Sequence, residues 1–155
     1  MTMLHPGDEF PAVTLRLPDG ASLQLPGALE GDMGVVLFYR GAWCADCNVQ
    51  LAAFQQAMPE LTAAGVRVFA LSVDGEPVTT TMVAALGLTY PVGHSANTIE
   101  IAELTGAFDN DDPRYLQPAG FLIDPTGHLL VSVYASGTAG RLTPADVLSA
   151  TAAAG

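Results

Sequence analysis

Hydrophobic positions alternate with polar ones in some segments of the chain and run continuously in others. Residues 13–17 and 23–25 alternate on either side of a Pro-Asp-Gly turn at 18–20, and this pattern predicts an N-terminal β-hairpin. The apolar runs at 35–40 and 66–73 are continuous, which predicts strands buried on both faces. The first part of the chain therefore predicts a hairpin followed by a parallel βαβ unit.

Segments of helical periodicity separate and follow these strands. The first predicted helix begins near Ala45, should kink at Pro59 and ends at Gly65. Three further helices are predicted from Pro77 to Gly87, from Asn97 to Leu104, and after a cap at Thr143.

A second hairpin is predicted from residues 121–124 and 129–134, around a Pro-Thr-Gly turn, and residues 109–113 should form an exposed acidic loop. A parallel half joined to an antiparallel half gives a central mixed β-sheet with helices on both faces. We therefore expect a thioredoxin-like α/β fold with an N-terminal β-hairpin, as a single domain over residues 1–155.

The charge and composition of the chain disfavour some classes of binding partner. The chain has a net charge of −11, with 16 acidic residues, five arginines and no lysine, so nucleic acids and anionic membranes are disfavoured partners. No apolar run approaches the ~20 residues of a membrane span, and the N-terminus has no signal-peptide pattern. We expect a cytoplasmic protein.

Trp43-Cys44-Ala45-Asp46-Cys47 holds both cysteines of the chain, at the predicted turn from strand to helix. Residues three apart on a first helical turn lie about 5–6 Å from each other, close enough to form a disulfide. A structural zinc site would need four ligands, and the three histidines are scattered. The pattern therefore favours redox chemistry at Cys44 and Cys47, with no metal and no organic cofactor.

Four segments of the chain carry a family resemblance: residues 5–11, 36–44, 68–74 and 117–127. In this order they resemble the alkyl hydroperoxide reductase/thiol-specific antioxidant family, the peroxiredoxin-like branch of the thioredoxin superfamily. In that resemblance Cys47 occupies the position of the peroxide-attacking cysteine, and Cys44 replaces the usual threonine. Gln50 replaces a glutamate and is expected on the helix surface. Pro118 replaces a peroxide-polarising arginine and resembles instead the cis-proline of thioredoxin-like reductases.

The resemblance implies an antioxidant thiol oxidoreductase that cycles a Cys44/Cys47 dithiol–disulfide to reduce hydroperoxides, with a thioredoxin-like or low-molecular-weight thiol as donor. Two alternatives stay open: a protein-disulfide reductase with Cys44 as nucleophile, and a redox-sensing or binding module without turnover. Trp43, Pro118 and Arg40 are the expected supporting residues. Such proteins often pair, so a homodimer is possible.

The start of a helix should lower the pKa of a thiol at Cys44. The carboxylate of Asp46 opposes this effect, and Arg40 is a candidate to offset it. Trp43 is either a core residue or a contact for substrate.

Overall fold

The structure, a computed structural model, describes residues 3–137 and 139–154. The described residues form nine strands, one 3-10 turn at Gly27–Leu29 and five α-helices. The strands are β1 Val13–Arg16, β2 Ser22–Leu25, β3 Met33–Phe38, β4 Val66–Leu71, β5 Val92–Gly93, β6 Asp109–Asn110, β7 Tyr115–Leu116, β8 Ala119–Ile123 and β9 Leu129–Tyr134. The helices are α1 Ala45–Gln56, α2 Met58–Ala63, α3 Glu76–Leu86, α4 Thr98–Thr105 and α5 Pro144–Ala154.

Five strands form the central sheet, in the order β5-β4-β3-β8-β9. Strand β3 runs parallel to β4 and antiparallel to β8, so Val36 pairs with Phe69 on one side and Phe121 on the other. Strands β1 and β2 form a separate antiparallel hairpin. The mixed sheet and the N-terminal hairpin are confirmed.

Each face of the sheet carries its own hydrophobic cluster, because successive residues of a strand point to opposite faces. Val35 and Leu37 of β3 pack with buried residues of α1, α2, α3 and α5 on one face. Val36 and Phe38 pack on the other face with the β1–β2 hairpin and α4. Helices therefore cover both faces, and α1 lies on the first.

The predicted helix over residues 45–65 is two helices rather than one kinked helix. Helix α1 ends at Gln56, and α2 begins at Met58 with Pro59 in its first turn. Proline lacks the N–H that would continue the hydrogen bonding of α1, and it is well tolerated where a helix starts.

The acidic segment predicted as a loop forms the short antiparallel ribbon β6–β7. Arg114 forms two ion pairs across the turn of this ribbon. Its Nη2 lies 2.8 Å from Asp111 Oδ1, and its Nη1 lies 3.3 Å from Asp109 Oδ2. The sequence pattern missed this ribbon because each strand has only two residues. In the two described ranges, no helix has the length and apolar character needed to cross a bilayer.

Candidate active site

A short loop between β3 and α1 leads into the cysteine pair and ends at Cys44, and contacts of three side chains fix its shape. The Ala42 N–H donates to Asp74 Oδ2 at 2.8 Å, and the Ala42 carbonyl accepts from Asn48 Nδ2 at 3.0 Å. At Gly41 a Cβ atom would collide with the indole of Trp43. The loop therefore presents Trp43 and Cys44 in a defined arrangement.

The two thiols lie at the start of α1, as the sequence predicts. Cys44 is the N-cap residue, and its Sγ accepts the Cys47 N–H at 3.3 Å. The two cysteines approach each other to 2.7 Å, and neither forms a disulfide. Among the described residues, no three His, Cys, Asp or Glu side chains form a cluster that could hold a metal ion. The geometry is that of a dithiol pair poised to form a disulfide.

Arg141 contributes a cation to both sulfurs from the segment before α5. Its Nη2 lies 3.3 Å from Cys47 Sγ and 3.6 Å from Cys44 Sγ. Its Nη1 donates to Gln50 Oε1 at 3.0 Å, and Gln50 Nε2 donates to the Leu142 carbonyl at 2.9 Å. The amide of Gln50 thus holds the guanidinium against the dithiol.

The sequence reasoning missed Arg141 and misplaced Gln50. Gln50 is only 8% exposed and is not a surface residue. Its side-chain amide is hydrogen-bonded to Arg141 and Leu142, which lie in the segment before α5. The useful signal was composition: a chain with no lysine and five arginines has few cations that could stabilise a thiolate.

Arg40 is a second arginine beside the pair, and its guanidinium is in contact with two aromatic rings. Its guanidinium carbon is 4.9 Å from the Trp43 ring centroid and 5.0 Å from that of Tyr115. Its Nη2 donates to the Tyr115 hydroxyl at 2.8 Å, and its backbone N–H donates to Cys47 Sγ at 3.4 Å. Trp43 is 59% exposed, so it is a surface residue beside the site and not a core residue.

The surroundings move the two thiol pKa values in opposite directions. Burial raises the pKa of Cys44, but hydrogen bonds from the Cys47 thiol and backbone N–H, with the charges of Arg141 and Arg40, bring it below its ordinary value. Burial and the hydrogen bond to Cys44 raise the pKa of Cys47, and Arg141 and the Arg40 N–H offset this only in part. The pKa of Cys44 therefore lies below that of Cys47, so Cys44 is the first of the two thiols to ionise.

The resemblance to thioredoxin-like reductases implies a cis peptide before Pro118, and this expectation is wrong. The cis bonds of the described residues precede Pro26 and Pro113, so the Gln117–Pro118 bond is trans. The Pro118 carbonyl accepts the Ala135 N–H at 3.0 Å, which extends the β8–β9 pairing by one residue. Pro118 is buried in the approach to β8, beside the end of β3.

A thioredoxin-like sheet with a dithiol at the turn from strand to helix defines the class of thiol oxidoreductases. The model of the AhpC/TSA family matches residues 6–132, and the chain belongs to this family. A Mycobacterium tuberculosis protein described as a peroxiredoxin is 30% identical over 138 residues, which are 86% of this chain and 87% of that protein. The chain is a peroxiredoxin-like thiol oxidoreductase.

Two other similarities bear on the fold and on the alternatives. The crystal structure of peroxidoxin BcpB from M. tuberculosis matches with a TM-score of 0.84 at 17% identity, covering 97% of each chain, which shows the same fold. The thiol-disulfide oxidoreductase ResA of Oceanobacillus iheyensis is 31% identical over 103 residues, covering 66% of this chain and 52% of that protein. The chain is therefore similar both to a relative described as a peroxiredoxin and to one described as a thiol-disulfide oxidoreductase.

Proposed function

We propose that this protein reduces hydroperoxides by cycling Cys44 and Cys47 between dithiol and disulfide, and that an external thiol donor restores the dithiol. The observation that carries the proposal is the guanidinium of Arg141 within hydrogen-bonding distance of both sulfurs. A fixed cation there stabilises thiolate and also the negative charge that develops when an O–O bond breaks.

The cycle needs only sulfur chemistry. One sulfur attacks as thiolate, the peroxide O–O bond breaks, and the sulfur becomes a sulfenic acid while an alcohol or water leaves. The second sulfur displaces the sulfenic oxygen, which leaves as water, and the disulfide forms. A donor with two thiols then returns two electrons and two protons by thiol–disulfide exchange.

Arg40 is the proposed donor to the hydroperoxide. Its Nε is buried and has no hydrogen-bond partner in the described ranges, while its other nitrogens are occupied or stacked on aromatic rings. The guanidinium is also close enough to Cys44 for each to affect the pKa of the other. The rings of Trp43 and Tyr115 hold it in place.

Disulfide reduction is the second candidate function. The similarity to ResA and the exposed indole of Trp43 beside Cys44 favour it. The trans peptide at Pro118 removes the feature that the resemblance offered for binding an extended substrate backbone. A sensing module is the third candidate, and it requires reversible oxidation without turnover.

Two substrates separate these candidates. Wild-type protein and the Cys44→Ser/Cys47→Ser double variant are supplied with dithiothreitol, and consumption of hydrogen peroxide and of insulin disulfides is followed. We expect the wild type to consume peroxide and the double variant to match the background. Insulin reduction without peroxide consumption would assign the protein to the reductases, and turnover of neither substrate would favour the sensor.

The compartment and the assembly are also proposals. A reducing compartment suits a cycle that external thiols complete, so we propose the cytoplasm. The thiol donor is proposed to be a dithiol protein of the thioredoxin type or a small thiol. A homodimer stays a prediction, which sedimentation equilibrium on the reduced and oxidised protein would check.

A further inference from the structure

The two sulfurs differ in their access to solvent, although they are three residues apart. Cys44 is the N-cap residue of α1 and its exposed fraction is 4%, whereas Cys47 lies in the first turn of α1 and is completely buried. Trp43, the residue directly before Cys44, is largely in solvent. A hydroperoxide that enters from solvent therefore reaches Cys44 before Cys47.

The helix start also stabilises a negative charge at Cys44. Its Sγ accepts the Cys47 N–H, one of the first-turn donors that have no partner inside the helix, and the dipole of α1 places positive potential there. The charges of Arg141 and Arg40 act in the same direction as the helix start, because both lower the pKa of Cys44.

The buried sulfur, that of Cys47, is the second of the pair to ionise. The Cys47 thiol donates a hydrogen bond to Cys44, and burial raises the pKa of Cys47. Cys47 also accepts from the Arg40 backbone N–H and from Arg141 Nη2, at 3.4 and 3.3 Å. These donors become useful when Cys47 must itself ionise.

We infer that Cys44 is the sulfur that attacks the hydroperoxide and that Cys47 resolves the product, the reverse of the order that the family positions imply. The inference rests on the proposed function. It moves the attacking sulfur by three residues, from the first turn of α1 to its N-cap.

The steps balance with this order. The Cys44 thiolate forms an S–O bond to one peroxide oxygen, the O–O bond breaks, and the departing oxygen takes a proton from solvent to leave as alcohol or water. Cys44 is then a sulfenic acid and no longer carries the charge that held the Cys47 proton. Arg141 and the Arg40 N–H favour the Cys47 thiolate, which attacks the Cys44 sulfur. The S–S bond forms, the S–O bond breaks, and hydroxide leaves as water with the proton that Cys47 released.

Trapping the sulfenic acid tests the order of attack. Cys44→Ser and Cys47→Ser are each treated with one equivalent of hydrogen peroxide in the presence of dimedone, and the labelled peptide is identified by mass spectrometry. We expect Cys47→Ser to carry the adduct at Cys44, at a rate ~tenfold or more above that of Cys44→Ser, because access and thiolate fraction both favour Cys44. An adduct at Cys47 in Cys44→Ser, formed at an equal or higher rate, would overturn the inference.

Alkylation of the wild type adds a readout that depends neither on a variant nor on peroxide. Limiting iodoacetamide should modify Cys44 before Cys47, and preferential modification of Cys47 would contradict the assignment. The two proposals can fail separately. Peroxide turnover that proceeds through Cys47 keeps the proposed function and removes this inference. Preferential alkylation of Cys44 without any peroxide consumption removes the function and leaves Cys44 as the more nucleophilic thiol.

Discussion

Arg141 is the single residue whose removal should most change the chemistry of the dithiol. Its guanidinium contacts both sulfurs, so Arg141→Ala removes the charge that favours thiolate at Cys44 and then at Cys47. We expect the rate constant for oxidation by hydrogen peroxide to fall by about tenfold to hundredfold, as when one donor is removed from a charge-stabilising site. Stopped-flow fluorescence of Trp43, the one tryptophan of the chain, measures the rate.

The matched control for this variant is Arg67→Ala. Arg67 is half-exposed and pairs with Asp32 at 2.8 Å and Glu30 at 3.7 Å, in contact with neither cysteine. Arg67→Ala should leave the oxidation rate unchanged, and Arg141→Lys should recover part of it, because lysine restores the charge without the planar fork. Equal losses in Arg141→Ala and Arg67→Ala would show that charge at a distance, and not contact with sulfur, matters.

The pH dependence of thiol reactivity follows from the pKa values of the pair. Burial raises the pKa of Cys44, but Cys47 and the arginines lower it more, so its thiolate is present at lower pH than that of a free cysteine. Alkylation of Cys44 should therefore decline as pH falls through a midpoint below the ordinary pKa of a cysteine thiol. Cys47 should show a midpoint above that value. Iodoacetamide rates resolved by peptide mass measure both, and the reverse order would contradict the site geometry.

Contacts between residues that are distant in sequence set the limit of what the sequence could predict about the site. Cys44 and Cys47 are three positions apart in sequence, so spacing alone placed them together at a helix start. Gln50 and Arg141 are separated by 91 positions, and their contact depends on how α5 packs against α1. Local patterns carry no information about such a distance, so Gln50 was expected on the surface.

At the scale of elements, the helix caps test whether the segment before α5 matters for the site. Thr143 Oγ1 accepts the Asp146 N–H at 3.1 Å at the start of α5, and Asn97 Oδ1 accepts the Glu100 N–H at 3.1 Å at the start of α4. Thr143→Ala and Asn97→Ala should each lower the free energy of unfolding by about 1 kcal/mol. Chemical denaturation measures this loss.

The two cap variants should differ in activity. Thr143 lies two positions after Arg141, whereas α4 packs on the opposite face of the sheet. We expect Thr143→Ala to slow oxidation by peroxide and Asn97→Ala to leave it unchanged at equal loss of stability. If both variants slow the reaction equally, global stability and not the position of Arg141 controls the rate.

Strong local signals explain which elements the sequence predicted. The alternation before and after residues 18–20 and the apolar run into Arg40 correspond to β1, β2 and β3 in the structure. At Pro59 the pattern predicts a kinked helix, but the helix divides there, because proline has no N–H to continue α1 and suits the first turn of α2. The ribbon β6–β7 was missed because two-residue strands have no periodicity to detect.

At the scale of the whole molecule, the net charge of −11 should affect the choice of thiol donor. Hydrogen peroxide is neutral, so its reaction should not depend on ionic strength. Glutathione is anionic, and its reduction of the oxidised protein should become faster as salt shortens the Debye length from about 30 Å to about 8 Å. Neutral dithiothreitol provides the control. A glutathione rate that falls with salt would indicate a local positive field that outweighs the overall charge.

Conversion of both thiols to a disulfide by one molecule of hydroperoxide tests the central claim most directly. Reduced wild-type protein is mixed with one equivalent of hydrogen peroxide, and its intact mass and its alkylatable thiols are measured. We predict the loss of two hydrogen atoms and of both alkylatable thiols, reversed by dithiothreitol. An unchanged mass, or an added oxygen atom with one thiol still open to alkylation, would contradict the Cys44/Cys47 cycle.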